Sequence, residues 1–280
     1  MRYVFIGLLL AGVLAGSPGV SVFAQKLKAE EIVAKHQDSI GAADARSAIK
    51  NRIAVGLVTV RFISQKNQAA GRIVLASDSR RNFLGMTLSA GDYTSERFVF
   101  DGKQPFVGFA YNGVRSVLGN FVQSNAWIVE ESLLGGELAG TWALGEAVKG
   151  KISSDGIKKI DGRDCYVLGY SPKGGGDVEV KLYFDKDTFR HVRTEYKRIS
   201  SAGIGRSPDE SSGFSETRHK IVEEFADHRQ AGGLTLPHSY KIHYLVSGQK
   251  GTTEIEWAFD LQQFAFNQNL DESTFVTGAK

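Results

Sequence analysis

Val178-Glu179-Val180-Lys181-Leu182-Tyr183-Phe184-Asp185-Lys186-Asp187-Thr188-Phe189-Arg190-His191-Val192-Arg193-Thr194-Glu195-Tyr196-Lys197-Arg198-Ile199 decides the fold. Val178, Val180, Leu182 and Phe184 fall on one side of an extended chain. Glu179, Lys181, Tyr183 and Asp185 fall on the other. The turn Asp185-Lys186-Asp187-Thr188 leads into a second run, in which His191, Arg193, Glu195 and Lys197 form a polar row. A period of two with one wet and one apolar face describes antiparallel sheet. So tight a turn excludes a parallel pair, which needs a crossover of about a dozen residues.

The same grammar extends in both directions. Upstream, Tyr166, Leu168 and Tyr170 alternate ahead of a Gly174-Gly175-Gly176-Asp177 turn. Downstream, a polar loop over 200–213 precedes strands at 214–225, 236–246 and 252–264, with Pro237 expected at a strand start or edge. In the first half, runs at 53–62, 72–77, 80–89, 95–100 and 105–110 are rich in Val, Ile, Phe, Leu and Thr. Gly, Asn, Asp and Ser separate them, with Asp101-Gly102 as one turn. Two stretches break the pattern. Leu27, Ile32, Val33, His36 and Ile40 share one face of a helix that Gly41 ends, and His36 reads as a residue at the border of its stripe. Across 114–144, Val114, Val117, Leu118, Phe121 and Val122, then Ile128, Val129, Ser132 and Leu133, repeat at helical spacing. They give two short helices ending at Gly135-Gly136. This insertion is apolar enough to fill or cover the sheet.

The first 24 residues predict a location. Arg2 precedes an uncharged apolar run from residue 3 to 16, Ser17-Pro18-Gly19 breaks it, and Val22-Phe23-Ala24 is a cleavage signal. That is the layout of a secretory signal peptide cut after Ala24, leaving a single domain over 25–280 in a periplasm. Leu14-Ala15-Gly16 is followed by Ser17, where lipid attachment would need a cysteine, so no lipid anchor is expected. Without Arg2, the net charge of +3 falls to +2, and so balanced a chain is a poor nucleic-acid binder. The one cysteine, Cys165, lies in a strand-like run and reads as a buried thiol.

Recognisable catalytic chemistry is missing from the sequence. The six histidines show no metal-ligand spacing; His191 and His219 read as solvated strand residues and His228 as part of a turn. There is no G-x-S-x-G elbow, and Gly174-Gly175-Gly176 lacks the lysine and helix of a phosphate loop. Neither enzyme activity nor a cofactor is expected. What stands out is seventeen phenylalanines, nine tyrosines and three tryptophans. Most must pack a core, but a sheet curled on an apolar cavity would also hold an acyl chain, at about 0.8 kcal/mol per buried methylene. Phe98, Phe106, Phe121, Trp127, Leu133, Leu134, Trp142 and Trp257 are the candidate lining residues, being bulky and placed in strands or near the inserted helices.

Three stretches carry a family resemblance: Ile157-Lys158-Lys159-Ile160-Asp161-Gly162-Arg163-Asp164-Cys165-Tyr166-Val167-Leu168; Leu182-Tyr183-Phe184-Asp185-Lys186-Asp187-Thr188-Phe189-Arg190; and Phe225-Ala226-Asp227-His228-Arg229 leading to Gly233-Leu234-Thr235-Leu236-Pro237. With the order of elements, they make the chain resemble the LolA/LolB/LppX-like superfamily of outer-membrane lipoprotein-sorting proteins. The resemblance implies an α+β, mainly antiparallel fold: a curved, incomplete half β-barrel with an N-terminal helix and an inserted helical pair as plug or lid. It implies a soluble, monomeric periplasmic carrier for the acyl chain of a lipoprotein or lipid, passing cargo between inner- and outer-membrane partners. The alternative is a regulatory or scaffold protein of the envelope that binds another protein and carries no lipid.

Overall fold

Twelve strands form one antiparallel sheet in the order β5-β4-β3-β2-β1-β12-β11-β10-β9-β8-β7-β6. The computed structural model describes residues 27–140, 142, 144, 151–200, 216–249 and 251–276; the expected signal peptide and most of the 200–213 loop lie outside them. Helices α1 (Ala29–Ile40) and α2 (Ala43–Ser47) come first, then β1 (Asn51–Phe62), β2 (Asn67–Asp78), β3 (Arg81–Leu88), β4 (Ser95–Phe100) and β5 (Pro105–Val107). Helices α3 (Val117–Ser124) and α4 (Trp127–Glu130) follow. The chain then returns through β6 (Ile152–Ile160), β7 (Arg163–Tyr170), β8 (Val178–Asp185), β9 (His191–Ser200), β10 (Thr217–Ala231), β11 (Leu234–Gly248) and β12 (Gly251–Phe266). The first half runs outward from the middle of the sheet and the second half runs back to it.

Local chemistry sets the turns. Asp185 Oδ1 accepts from the backbone N–H groups of Asp187 (3.1 Å) and Thr188 (2.9 Å) and from the Thr188 hydroxyl (2.9 Å), fixing the β8–β9 connection. At Gly56 the ladder with β12 slips by one residue, and a Cβ there would lie 1.9 Å from the Asp260 carbonyl oxygen. Pro237 sits near the start of β11, opposite His228. The ladder to β12 begins only at Ser239, so the missing N–H breaks no bond on that side.

Alternation divides the sheet into an inner face under the helices and an outer face. Val178, Val180, Leu182 and Phe184 are inner and Tyr183 is outer. The inner face, α1 and the insertion share one core, from Leu84 and Phe98 near one edge to Leu168 and Tyr170 near the other. Flat, twelve strands would span about 50 Å. Instead α4 touches β4 and β5 while Glu131, next to it, bonds Tyr170 of β7, so the sheet wraps the insertion without closing.

Three expectations need correction. The row His191, Arg193, Glu195, Lys197 is broken by a bulge: His191 pairs with Phe184, Arg193 pairs with Tyr183, and Val192 is the extra residue. One inserted residue inverts the faces on either side of it, so His191 turns inward and is fully buried. His228 lies within β10 rather than at a turn, because the ladder skips Asp227, at φ 55°, and resumes at His228 in the same register. His36 stands in the middle of the buried α1 stripe, between Ile32, Val33 and Ile40, rather than at its border.

Candidate functional site

Against the inner face of the sheet the chain places its own insertion, described over 111–140 with Trp142 and Leu144, as a plug. Among the described residues, no backbone–backbone hydrogen bond joins 115–140 to a strand. The plug is held by apolar packing of Leu118, Phe121, Ile128, Leu133 and Leu138, and by a set of polar pins.

Glu96, on β4, is the first pin. It is 1% exposed and accepts hydrogen bonds from the Tyr93 hydroxyl (2.8 Å) and from Ser116, whose Oγ in turn caps α3 by accepting from Gly119 N–H (2.8 Å). Burial pushes the Glu96 carboxyl up to about 7 despite these bonds. Tyr93 also accepts from Trp257 Nε1 at 2.8 Å. Further along, Asn82 donates to Val129 O (3.1 Å) and Ser132 Oγ (2.8 Å). Glu131 meets Lys151 Nζ at 2.7 Å and accepts from Tyr170 and from Lys173 N–H. Glu223, fully buried on β10, accepts from the Tyr196 and Tyr240 hydroxyls (2.7 and 2.6 Å) and from Gly135 N–H (2.7 Å); burial raises its pKa.

The last pin is Glu137, 2% exposed, among three histidines. Its Oε1 accepts from His228 Nε2 at 3.1 Å, and its Oε2 lies 3.2 Å from His191 Nδ1 and 3.8 Å from His36 Nε2. Burial opposes the Glu137 charge, but the approach of His191 and His228 outweighs it and holds the carboxyl well below the ordinary range. His36 is a neutral ring here: Nε2 accepts from Trp142 Nε1–H at 3.0 Å and Nδ1 lies 3.1 Å from Phe189 O. Burial lowers its pKa to about 4, against the attraction of Glu137. The guanidinium of Arg52, pushed down to about 10 by burial, donates to the carbonyls of Glu137 and Leu138. Among the described residues no group of three or more His, Cys, Asp or Glu is placed to hold a metal ion. In this cluster, Trp142 already occupies the lone pair His36 would offer.

Of the expected lining residues, Phe98, Phe121, Leu133, Leu134, Trp142 and Trp257 are buried in the inner core, with Trp127 half-buried against it. Phe106 is on the outer face, because its neighbour Val107 pairs inward with Phe98. Hollows border this assembly among the described residues. A cleft of about 920 Å³ lies between α1, α2, the ends of β1 and β2 and the plug, lined by Arg46, Arg52, Asp78, Glu131, Glu137 and Trp142 among others. A groove of about 520 Å³ lies on the outer face, lined by Val74, Phe83, Phe106, Phe109, Arg72 and Arg97 among others. Glu137 escaped the sequence reading, though a lone acid between Leu133-Leu134 and Leu138 was its signal.

These features define an open antiparallel half-barrel with a pinned helical plug. In solved structures the chain is similar to a LolA superfamily protein from Nitrosomonas europaea, at 14% identity and TM-score 0.47, covering 89% of this chain and 98% of that one. It is similar to a putative outer membrane lipoprotein-sorting protein domain from Vibrio parahaemolyticus, at 12% identity and TM-score 0.44, covering 88% and 95%. It is also similar to the lipoprotein LppX of Mycobacterium tuberculosis, at 11% identity and TM-score 0.23, covering 59% and 86%. No family model and no curated protein matches the chain. Likeness at this level concerns the course of the chain; what the inner face holds follows from its own residues. No helix among the described residues is long and apolar enough to cross a membrane.

Proposed function

We propose that this protein is an exported, periplasmic carrier that takes up an acyl chain of a lipid or lipoprotein when its plug leaves the inner face. The plug lies between the two edge strands, β5 and β6, in the chain, yet among the described residues it adds no strand to either, and this carries the reading. It can move away without breaking the sheet. Re-exposing five large apolar side chains of the plug costs about 8–15 kcal/mol, and burying an acyl chain of about fourteen methylenes offsets about 11 kcal/mol of it; the polar pins are lost in addition. Leu133, Leu134, Phe121, Trp127 and Trp142 would leave with the plug or flank it, whereas Phe98 and Trp257 would line the vacated sheet. Cleavage after Ala24 would release the chain without a lipid anchor, as a monomer, to meet donor and acceptor proteins at the two membranes.

The closed, pinned plug also favours a second reading: a regulatory or scaffold envelope protein that carries no lipid. Native mass spectrometry of the exported protein, before and after organic extraction, separates the two. A mass excess that disappears on extraction and proves to be acyl lipid supports the carrier. A bare mass, with no uptake of added fatty acid or lipopeptide, refutes it.

A further inference from the structure

The chain entering the plug is built unlike the rest of the surface. Phe109, Tyr111 and Val114 are 44%, 41% and 65% exposed, on a tight turn closed by the Tyr111–Val114 bridge and by Asn112-Gly113, both at positive φ. Val117, at the start of α3, is exposed beside them. Phe109 also lines the outer groove, so the turn continues into an apolar surface that includes Val74, Phe83 and Phe106. Leu57, 49% exposed, extends it across the strand from Arg72. Gly85 lets the Phe83 ring lie flat there, since a Cβ would meet that ring at 2.3 Å. Phe83 and Phe106 are half-buried against Phe275, and the exposed side chains grouped around them mark a binding surface rather than scattered exposure.

The groove and the turn carry three arginines, Arg72, Arg97 and Arg115, while acids stand at the margins of the patch. The guanidinium of Arg115 stacks on Phe109, 4.5 Å from the ring centre, and that of Arg97 lies 5.7 and 5.8 Å from Phe83 and Phe106. Arg72 is exposed at the groove. The acid that lines the groove, Glu96, is turned to the inner side and buried. Asp260 lies one strand beyond Leu57, and Asp271 and Glu272 lead into the Phe275 turn that packs by Arg81. Exposed aromatics on a rigid turn, backed by arginines, suit the boundary between acyl chains and anionic headgroups.

We propose that the turn over residues 109–117 and the adjoining outer groove dock this protein on an anionic membrane surface. The inference deepens the carrier reading by naming where cargo would be met: the docked turn runs directly into Ser116, the cap of α3, and so into the plug.

The test is flotation of the exported protein with phosphatidylglycerol vesicles and with phosphatidylcholine vesicles, at low and high salt. Binding to phosphatidylglycerol should exceed binding to phosphatidylcholine at least tenfold and weaken with salt. Phe109→Ser with Val114→Ser, both exposed, should keep the melting temperature and reduce the partition at least tenfold. Arg72→Glu should reduce it about fivefold or more, and it decides the matter if the double variant does not fold. Equal binding to both vesicles, or variants that bind as the wild type does, overturns the proposal. So does a dimer that the double variant splits, since a second copy would then cover the patch. Extractable acyl lipid without vesicle preference refutes docking and leaves the carrier standing; vesicle preference with a bare mass does the reverse.

Discussion

Replacing Glu96 with Gln should stabilise the protein at neutral and alkaline pH, although it removes a charge that two hydroxyls hold. The carboxyl titrates at about 7 in the folded chain against 4.5 in the reference state, burial being the cause. A pKa raised on folding means that the folded state binds the proton more tightly, so stability falls as pH rises from 4.5 through 7. The full difference corresponds to about 3 kcal/mol, nearly all of it felt at pH 8 and under about 1 kcal/mol at pH 5. At 1% exposure there is little solvent to screen it. Gln keeps an oxygen for Tyr93 and Ser116 and places its amide where Oε2 already has no partner. Thermal melts followed by circular dichroism at fixed ionic strength should show Glu96→Gln melting about 5–10 °C above wild type at pH 8, and within a few degrees of it at pH 5. A variant that melts below wild type at pH 8 would refute the reasoning. It would mean that the bonds to the ionised carboxylate outweigh its desolvation.

His36 should tilt the other way. Its pKa is depressed to about 4, so the unfolded chain takes a proton below 6.5 that the folded chain refuses, and stability is lost as pH falls from 6.5 towards 4. This amounts to about 2 kcal/mol between pH 7 and pH 5, opposing Glu96. His36→Gln, which keeps a donor for Phe189 O and an acceptor for Trp142, should therefore gain stability against urea relative to wild type as pH falls over that range. At the β1–β12 bulge, Gly56→Ala should cost roughly 2–4 kcal/mol in a chemical melt, because the new methyl meets the backbone oxygen of Asp260. Gly91→Ala, with nothing within 4 Å, is the control and should stay within about 0.5 kcal/mol of wild type.

Most of the sheet was legible because its strands have one wet face: Val178 to Phe184 announce both their face and their turn. The strand β6 was not, since Ser153-Ser154-Asp155-Gly156 at an edge carries a register shift and little apolar pattern. The inward turn of His191 was hidden for a related reason, as an extra residue changes parity without changing composition. Parity also decides the expected site. Phe98 and Phe106 look alike in sequence, but the register of the hairpin between them puts one inside and the other outside. The polar pins were the least visible part. Glu96, Glu137 and Glu223 meet Ser116, His228 and Tyr240, which are 20, 91 and 17 residues away and come together only in the finished fold.

The meeting of β1 and β12 at the centre of the sheet has a kinetic consequence. Each half of the chain can zip up locally, hairpin by hairpin, but the seam between them joins residues about two hundred positions apart. Until 251–266 arrives, β1 offers an unpaired edge in the middle of what will be the core, open to pairing with any other strand. A chain stalled or cut before β12 would be two half-sheets tethered by the plug, each with one inner margin bare. For such a protein, a chaperone that guards β1 during synthesis or export would matter more than one that protects the outer edges.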